Sequence, residues 1–275
     1  MSMDRREFLT ASAIGSLTLG HSVITPGDLL VDTRSPDTQA GAASTAGTRK
    51  ILIAGGGFNT AYIRYMAALS GMKRPRICYL PTASADAEEG IIKFYEHCAP
   101  LDVEAHVQKS FIESLSQHQG WDEVFLSMDG IVVSGGNTLN QQAIWKAQGI
   151  DTVLRHAWDK GIVLGGASAG SLCWFEEGTT DSRPKALSIV KCMGFLTGSH
   201  SPHYDAEAGR RPLYHKLIGE GTMKPGYACD NDAGIYFEDQ TVKRVVSTRA
   251  GAKVYYVSVV NGAVAEKVHE PEMIA

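Results

Sequence analysis

Gly161-Ile162-Val163-Leu164-Gly165-Gly166-Ala167-Ser168-Ala169-Gly170-Ser171 is the stretch on which the reading of this chain turns. The apolar run 161–164 reads as a buried strand. Gly166-Ala167-Ser168-Ala169-Gly170 then fits the Gly-x-Ser-x-Gly turn that presents a serine alone at a strand's C-terminal end. The turn is tight, so small residues are needed on both sides of the serine. Ser171-Leu172-Cys173-Trp174-Phe175 reads as a helix whose first amides and positive dipole end face Ser168, which favours an oxyanion there. A plain strand-to-helix turn with an incidental serine has the same glycines, so this stretch alone does not decide.

The whole chain sets the limits. Its 275 residues, 44% hydrophobic and 20% charged, suffice for one sizeable core and exclude a disordered or fibrous protein. A net charge of -4 with interspersed lysines and arginines leaves no basic stripe, so no nucleic-acid partner is expected. The five cysteines, Cys78, Cys98, Cys173, Cys192 and Cys229, are odd in number and hold no C-x-x-C pair. They read as buried thiols, with Cys173 a small core hydrophobe.

At the N-terminus, Asp4-Arg5-Arg6-Glu7-Phe8-Leu9-Thr10 and the weakly apolar run 11–20 resemble a twin-arginine export signal, too short for a stable membrane anchor. Residues 21–48 are rich in Pro, Gly, Ser, Thr, Ala and Asp and read as a disordered linker, with Ala40-Gly41-Ala42 a small-residue cleavage candidate. The domain expectation is therefore signal and linker over 1–48 and a single α/β domain over 49–275. Export to the periplasm or medium is expected; the alternative is an ordinary charged N-terminus on a cytoplasmic protein.

Strands are expected at 49–54, 76–80, 103–107, 130–133 and 161–164, with helices at 61–69, 87–98, after 138 through Trp145, and 150–160. Alternation at this spacing implies a mostly parallel sheet with helices on both faces, a flavodoxin-like α/β fold, and function at the C-terminal strand ends. The glycine turns 55–57, 135–136 and 165–170 then share one rim. Thr60 replaces the last glycine of G-x-G-x-x-G and no Gly-Lys-Ser/Thr occurs, so neither nucleotide motif is complete and no cofactor is expected. Residues 176–182 read as a turn or hairpin, and the segments near 226–237, 243–248 and 254–260, with Asn261-Gly262, read as antiparallel hairpins finishing the sheet.

Serine needs a base, and an imidazole held by a carboxylate is the usual one. Four histidines follow Ser168: His200, His203, His215 and His269. His203, after the stiffening Pro202, is the preferred base. His200-x-x-His203-x-Asp205 also suits a surface loop or a chelate, but it lacks a third clear ligand, so no metal is expected.

Read in order, Ser134-Gly135-Gly136-Asn137-Thr138, Gly166-Ala167-Ser168-Ala169-Gly170, Thr179-Thr180-Asp181 and Ser201-Pro202-His203-Tyr204 resemble the peptidase E and cyanophycinase family of serine peptidases, roughly over 50–237. That resemblance implies a class I glutamine amidotransferase-like fold with Ser168 as nucleophile, His203 as base, and Gly135, Gly136 and the Ala169 amide as oxyanion hole. It also puts Asn137 and Thr138 beside the substrate. Peptidase E takes its acid from the segment matching Thr180-Asp181, whereas cyanophycinases take a glutamate from the segment matching Asp230-Asn231-Asp232. Asn231 stands in that glutamate's place and is no carboxylate, so Asp181 is preferred and Asp232 held in reserve. Members cut next to aspartate, so a small acidic peptide is the expected substrate. Arg210 and Arg211 are candidates to clamp its carboxylate, and a homodimer is compatible with the reading.

Three readings compete: a serine exopeptidase, or its cyanophycinase-like variant, with His203 on Ser168; an α/β-hydrolase esterase with His269 there; and a non-catalytic amidotransferase-like binding protein with neither. Ammonia-producing amidotransferase chemistry lacks its thiol at position 168.

Overall fold

The structure is a computed structural model that describes residues 47–111 and 119–275, all within one compact unit, Thr45–Ala275. The paired arginines, the apolar run and the Ala40-Gly41-Ala42 cleavage candidate lie outside the described residues. Among the described residues no helix is long and apolar enough to cross a membrane.

The chain starts with β1 (Lys50–Ala54), α1 (Thr60–Ser70), β2 (Arg76–Leu80), α2 (Glu88–Cys98) and β3 (Glu104–Val107). It continues through α3 (Trp121–Phe125), β4 (Gly130–Val133), α4 (Thr138–Gln148), α5 (Ile150–Asp159), β5 (Val163–Ala167) and α6 (Ala169–Leu172). Ile51, Leu52, Ile53 and Ala54 are all buried, as a continuous apolar run requires when helices cover both faces of a parallel sheet. Alternate residues serve opposite cores. Ile51, Ile53 and Leu164 pack with Trp145, Leu154 and Trp158 of α4 and α5. Leu52, Ala54 and Val163 pack with Ile63, Met66 and Phe94 of α1 and α2.

The second half adds β6 (Phe175–Thr180), β7 (Ser188–Lys191), β8 (Leu196–Ser201), α7 (Arg210–Gly219), β9 (Gly226–Cys229), β10 (Ala233–Glu238), β11 (Thr241–Ser247), β12 (Val254–Val260), β13 (Ala263–His269) and β14 (Glu272–Met273). The main sheet has the order β14-β11-β10-β1-β5-β4-β2-β3, parallel from β1 to β3 and with β10 antiparallel to β1. The mostly parallel α/β fold expected from the sequence is thus present, but the C-terminal strands do not simply finish that sheet. A second, mixed sheet runs β13-β12-β9-β8-β6-β7.

Residues 176–182 are not a hairpin either, because most of them lie in β6. The strand is hard to see because its Glu177 is polar yet 2% exposed, satisfied by the Lys191 ammonium and the Lys224 amide. Buried Ser199, His200 and Ser201 of β8 hide that strand in the same way, each hydrogen-bonded inside the protein. The helix after Ser168 is also shorter than expected: α6 ends at Leu172, and Cys173-Trp174 lead straight into β6.

Candidate active site

Ser168 sits between β5 and α6 at φ 59° and ψ -118°, a backbone that costs on the order of 1–3 kcal/mol unless its surroundings impose it. They do. The Ser168 amide donates to the carbonyl of Ala54, while its own carbonyl accepts from the amides of Ser171 and Leu172 at 3.0 and 2.9 Å and from the Ser171 hydroxyl at 2.8 Å.

His203 Nε2 lies 2.8 Å from Ser168 Oγ, and its Nδ1 lies 2.7 Å from Asn231 Oδ1. An amide oxygen only accepts, so Nδ1 carries the hydrogen and Nε2 keeps the lone pair that can take the serine proton. The strand ends bring the three side chains together. Ser168 follows β5, His203 follows β8, and Asn231 lies in the turn between β9 and β10. Gly56, in the turn after β1, permits the pairing: a Cβ there would stand 2.2 Å from Asn231 Oδ1 and 2.9 Å from His203 Nδ1. Asn231 is itself anchored. Its amide donates to Asp205 Oδ1 at 2.8 Å and its carbonyl accepts from Arg249 at 2.9 Å, and Arg249 also pairs with Asp205 and Asp232.

The expected oxyanion turn is beside the serine. A Cβ on Gly135 would lie 3.3 Å from Ser168 Cβ, and Gly136 takes φ 132° with Ala83 O 2.2 Å from where its Cβ would be. Among the described residues the amides of Gly135, Gly136 and Ala169 have no hydrogen-bond partner, so they are free for an oxyanion. Next to Ser168 opens a cleft of about 220 Å³.

Other expected residues are engaged elsewhere. Asp181 is two-thirds exposed and faces Arg210 at 3.7 Å, not His203. Asp232 is drawn to Arg249, so neither expected carboxylate meets the imidazole, and Asn231, set aside for lacking a charge, does. Asn137 Oδ1 caps α4 by accepting from the Asn140 amide, its Nδ2 donates to Ser182 O, and Thr138 is buried. Arg210 is 2% exposed and donates to Thr179 O and Glu207, while Arg211 pairs with Glu266 and lies over Tyr204 and Tyr255. The arginine clamp is thus not formed, because both guanidinium groups have internal partners.

His200 is fully buried, with Nδ1 3.0 Å from Tyr227 O, Nε2 3.0 Å from Ser171 Oγ, and its ring stacked on Phe175. Burial pushes its pKa down to about 3, so it is neutral and braces the helix behind the elbow. It is not a metal partner of His203. No group of three or more His, Cys, Asp or Glu side chains is placed to hold a metal among the described residues. His269 lies on β13, its ring 6.4 Å from Tyr227, while His203 holds the place on Ser168 that the esterase reading required of His269. Asp205, Arg249 and Gly56 went unrecognised as supports of the pair; the Asp230-Asn231-Asp232 turn was the one visible signal.

Comparisons with known proteins give the family and the fold. Residues 51–245 match the model of peptidase family S51. The chain is 43% identical over 224 residues to "Uncharacterized peptidase YgaJ" of Bacillus subtilis (strain 168), covering 78% of this chain and 94% of that one. Among solved structures, a peptidase from an acI-B1 Actinobacterium superposes with a TM-score of 0.62 at 16% identity, covering 83% of this chain and 96% of that one. A putative peptidase E protein from Listeria monocytogenes EGD-e gives 0.54 at 16% identity, covering 72% and 98%. At that identity the two structures speak for the fold, and they agree with a class I glutamine amidotransferase-like architecture. The motifs around Ser168 and His203, the family match and the 43% identical relative lead to one conclusion: this chain belongs to peptidase family S51, a family of serine peptidases.

Proposed function

We propose that the protein is a serine exopeptidase that hydrolyses small aspartyl peptides through an acyl-enzyme, with Ser168 as nucleophile, His203 as base and Asn231 as the group that orients the imidazole. The observation that carries this reading is the run of contacts from Ser168 Oγ to His203 Nε2 at 2.8 Å and from His203 Nδ1 to Asn231 Oδ1 at 2.7 Å. As Oγ attacks the scissile carbonyl, its proton passes to Nε2, and the carbonyl oxygen takes up charge beside the Gly135, Gly136 and Ala169 amides. The imidazolium then protonates the leaving amine. Next, Nε2 takes a proton from water, and the resulting attack on the ester releases the acid and restores Ser168. Asn231 fixes the tautomer through both steps but adds no negative charge, so it steadies the imidazolium less than a carboxylate would.

The acidic substrate is supported by the resemblance to enzymes that cut next to aspartate. A dipeptide library screened with the parent enzyme and with Ser168→Ala tests it. Aspartyl dipeptides should be turned over by the parent alone, and preferred turnover of neutral dipeptides would contradict the substrate. One observation favours a cyanophycinase-like second reading. Asn231 belongs to the segment from which cyanophycinases take their glutamate, and faster cleavage of aspartyl-arginine conjugates than of other aspartyl peptides would decide for it.

A further inference from the structure

The cleft beside Ser168 has an uneven chemistry. Its walls are aromatic: Tyr79 and Phe94 stack at 5.1 Å, and Phe58 also lines it. Its polar groups are few. Ser134, one residue before the oxyanion turn, is 2% exposed, and its hydroxyl meets the Tyr79 hydroxyl on the same lining. A hydroxyl paired with a neutral phenol gains by turning to a charged acceptor, since charge-assisted hydrogen bonds are roughly twice as strong as neutral ones. Lys93 comes in from α2 and is the one lysine or arginine on the lining, where no aspartate or glutamate stands among the described residues. Its ion pair with Glu89, one helical turn back, is exposed on both sides, and such pairs are weak enough to be exchanged for a ligand. His97 also lines the cleft, with Nδ1 3.3 Å from Thr60 Oγ1.

At about 220 Å³ the space is below the ~300–1,000 Å³ of sites for drug-sized ligands, so it suits one side chain and not a polymer.

Building on the peptidase reading above, we propose that this cleft receives the side chain on the acyl side of the scissile bond, and that Lys93 and Ser134 select a carboxylate on a short stem there. The aromatic walls hold the stem, the ammonium pairs with the carboxylate, and the Ser134 hydroxyl donates to it. Of the residues first suggested for this task, Arg210 is buried on Thr179 O and Glu207, and Arg211 is paired with Glu266. Acid recognition therefore moves from α7 to α2.

The test is calorimetric titration of Asp-Leu and of its neutral isostere Asn-Leu into Ser168→Ala protein, which binds without turnover. Asp-Leu should bind about tenfold tighter or more, as one charge-assisted hydrogen bond gives. Adding Lys93→Met should bring the two peptides to within about twofold, whereas Glu89→Gln, which frees the ammonium, should widen the ratio. Equal binding of the two peptides by Ser168→Ala, or a ratio that neither Lys93→Met nor Glu89→Gln moves, overturns the proposal. Should Lys93→Met fail to fold, Glu89→Gln decides alone: a wider ratio supports the proposal and an unchanged one overturns it. Failure of the peptidase reading would look different, as aspartyl dipeptide turnover that survives Ser168→Ala.

Discussion

Asn231→Ala should slow the enzyme more than Asp181→Asn, although only the second change removes a carboxylate. In the resting protein the 2.7 Å contact from His203 Nδ1 to Asn231 Oδ1 joins two neutral groups. When the imidazolium forms, the same contact becomes charge-assisted. Hydrogen bonds to charged groups are worth about 1.5–3 kcal/mol, so losing this one should lower kcat by about 10- to 150-fold. KM should change little, because the added strength exists only once His203 is charged. Asp181 stands 3.7 Å from Arg210 and is two-thirds exposed, and pairs of that kind contribute about 0–1 kcal/mol to stability. Asp181→Asn should therefore leave kcat within about twofold, since nothing links it to the imidazole. Steady-state kinetics on the best dipeptide from the library, with thermal melts to confirm folding, make the comparison. If Asp181→Asn costs more than Asn231→Ala in folded protein, the assignment of Asn231 is wrong and the acid comes from the end of β6.

Gly56→Ala should fold but lose activity over a similar 10- to 150-fold range, because its Cβ would stand 2.2 Å from Asn231 Oδ1 and must push the pair apart; parent-like kcat would show that the pair tolerates displacement. Acid should destabilise the protein through His200, whose folded pKa of about 3 lies below the unfolded value near 6.5. The unfolded chain then binds a proton that the folded one excludes, so this contribution is intact above about pH 6.5 and is lost progressively down to about pH 3. The loss amounts to about 2 kcal/mol by pH 5, readable as a drop in denaturation midpoint between pH 7.5 and 5 that His200→Gln should lessen. Replacing Arg5 and Arg6 together by lysine should keep active full-length enzyme in the cytoplasm while the parent is exported and shortened within its first fifty residues. Identical fractionation of the two would remove the export reading.

The parallel core was legible in the sequence because its strands are short, apolar and separated by helices, and β1, β4 and β5 each run into a glycine turn. The second sheet was not. Its inner strands bury Glu177, Ser199, His200 and Ser201, whose partners come from distant segments, so the local pattern reads as loop. The site divides along the same line. Ser168 and His203 could be found because a tight turn and a stiffened loop leave local marks. Asn231 escaped assignment because its place beside His203 depends on Gly56, about 175 residues earlier in the chain, and on Arg249 behind it, neither of which its own neighbours reveal. Asp181 drew attention by its charge, yet Arg210, buried by the packing of α7, holds it away.

The central claim is that Ser168 is a nucleophile activated by His203, and labelling by an organophosphorus fluoride tests it without any assumption about substrate. The account predicts one adduct, mapped by mass spectrometry to the peptide carrying Ser168, absent in Ser168→Ala and formed at least a hundredfold more slowly in folded His203→Ala. An adduct on another residue, or labelling of Ser168 at the parent rate without His203, would contradict it.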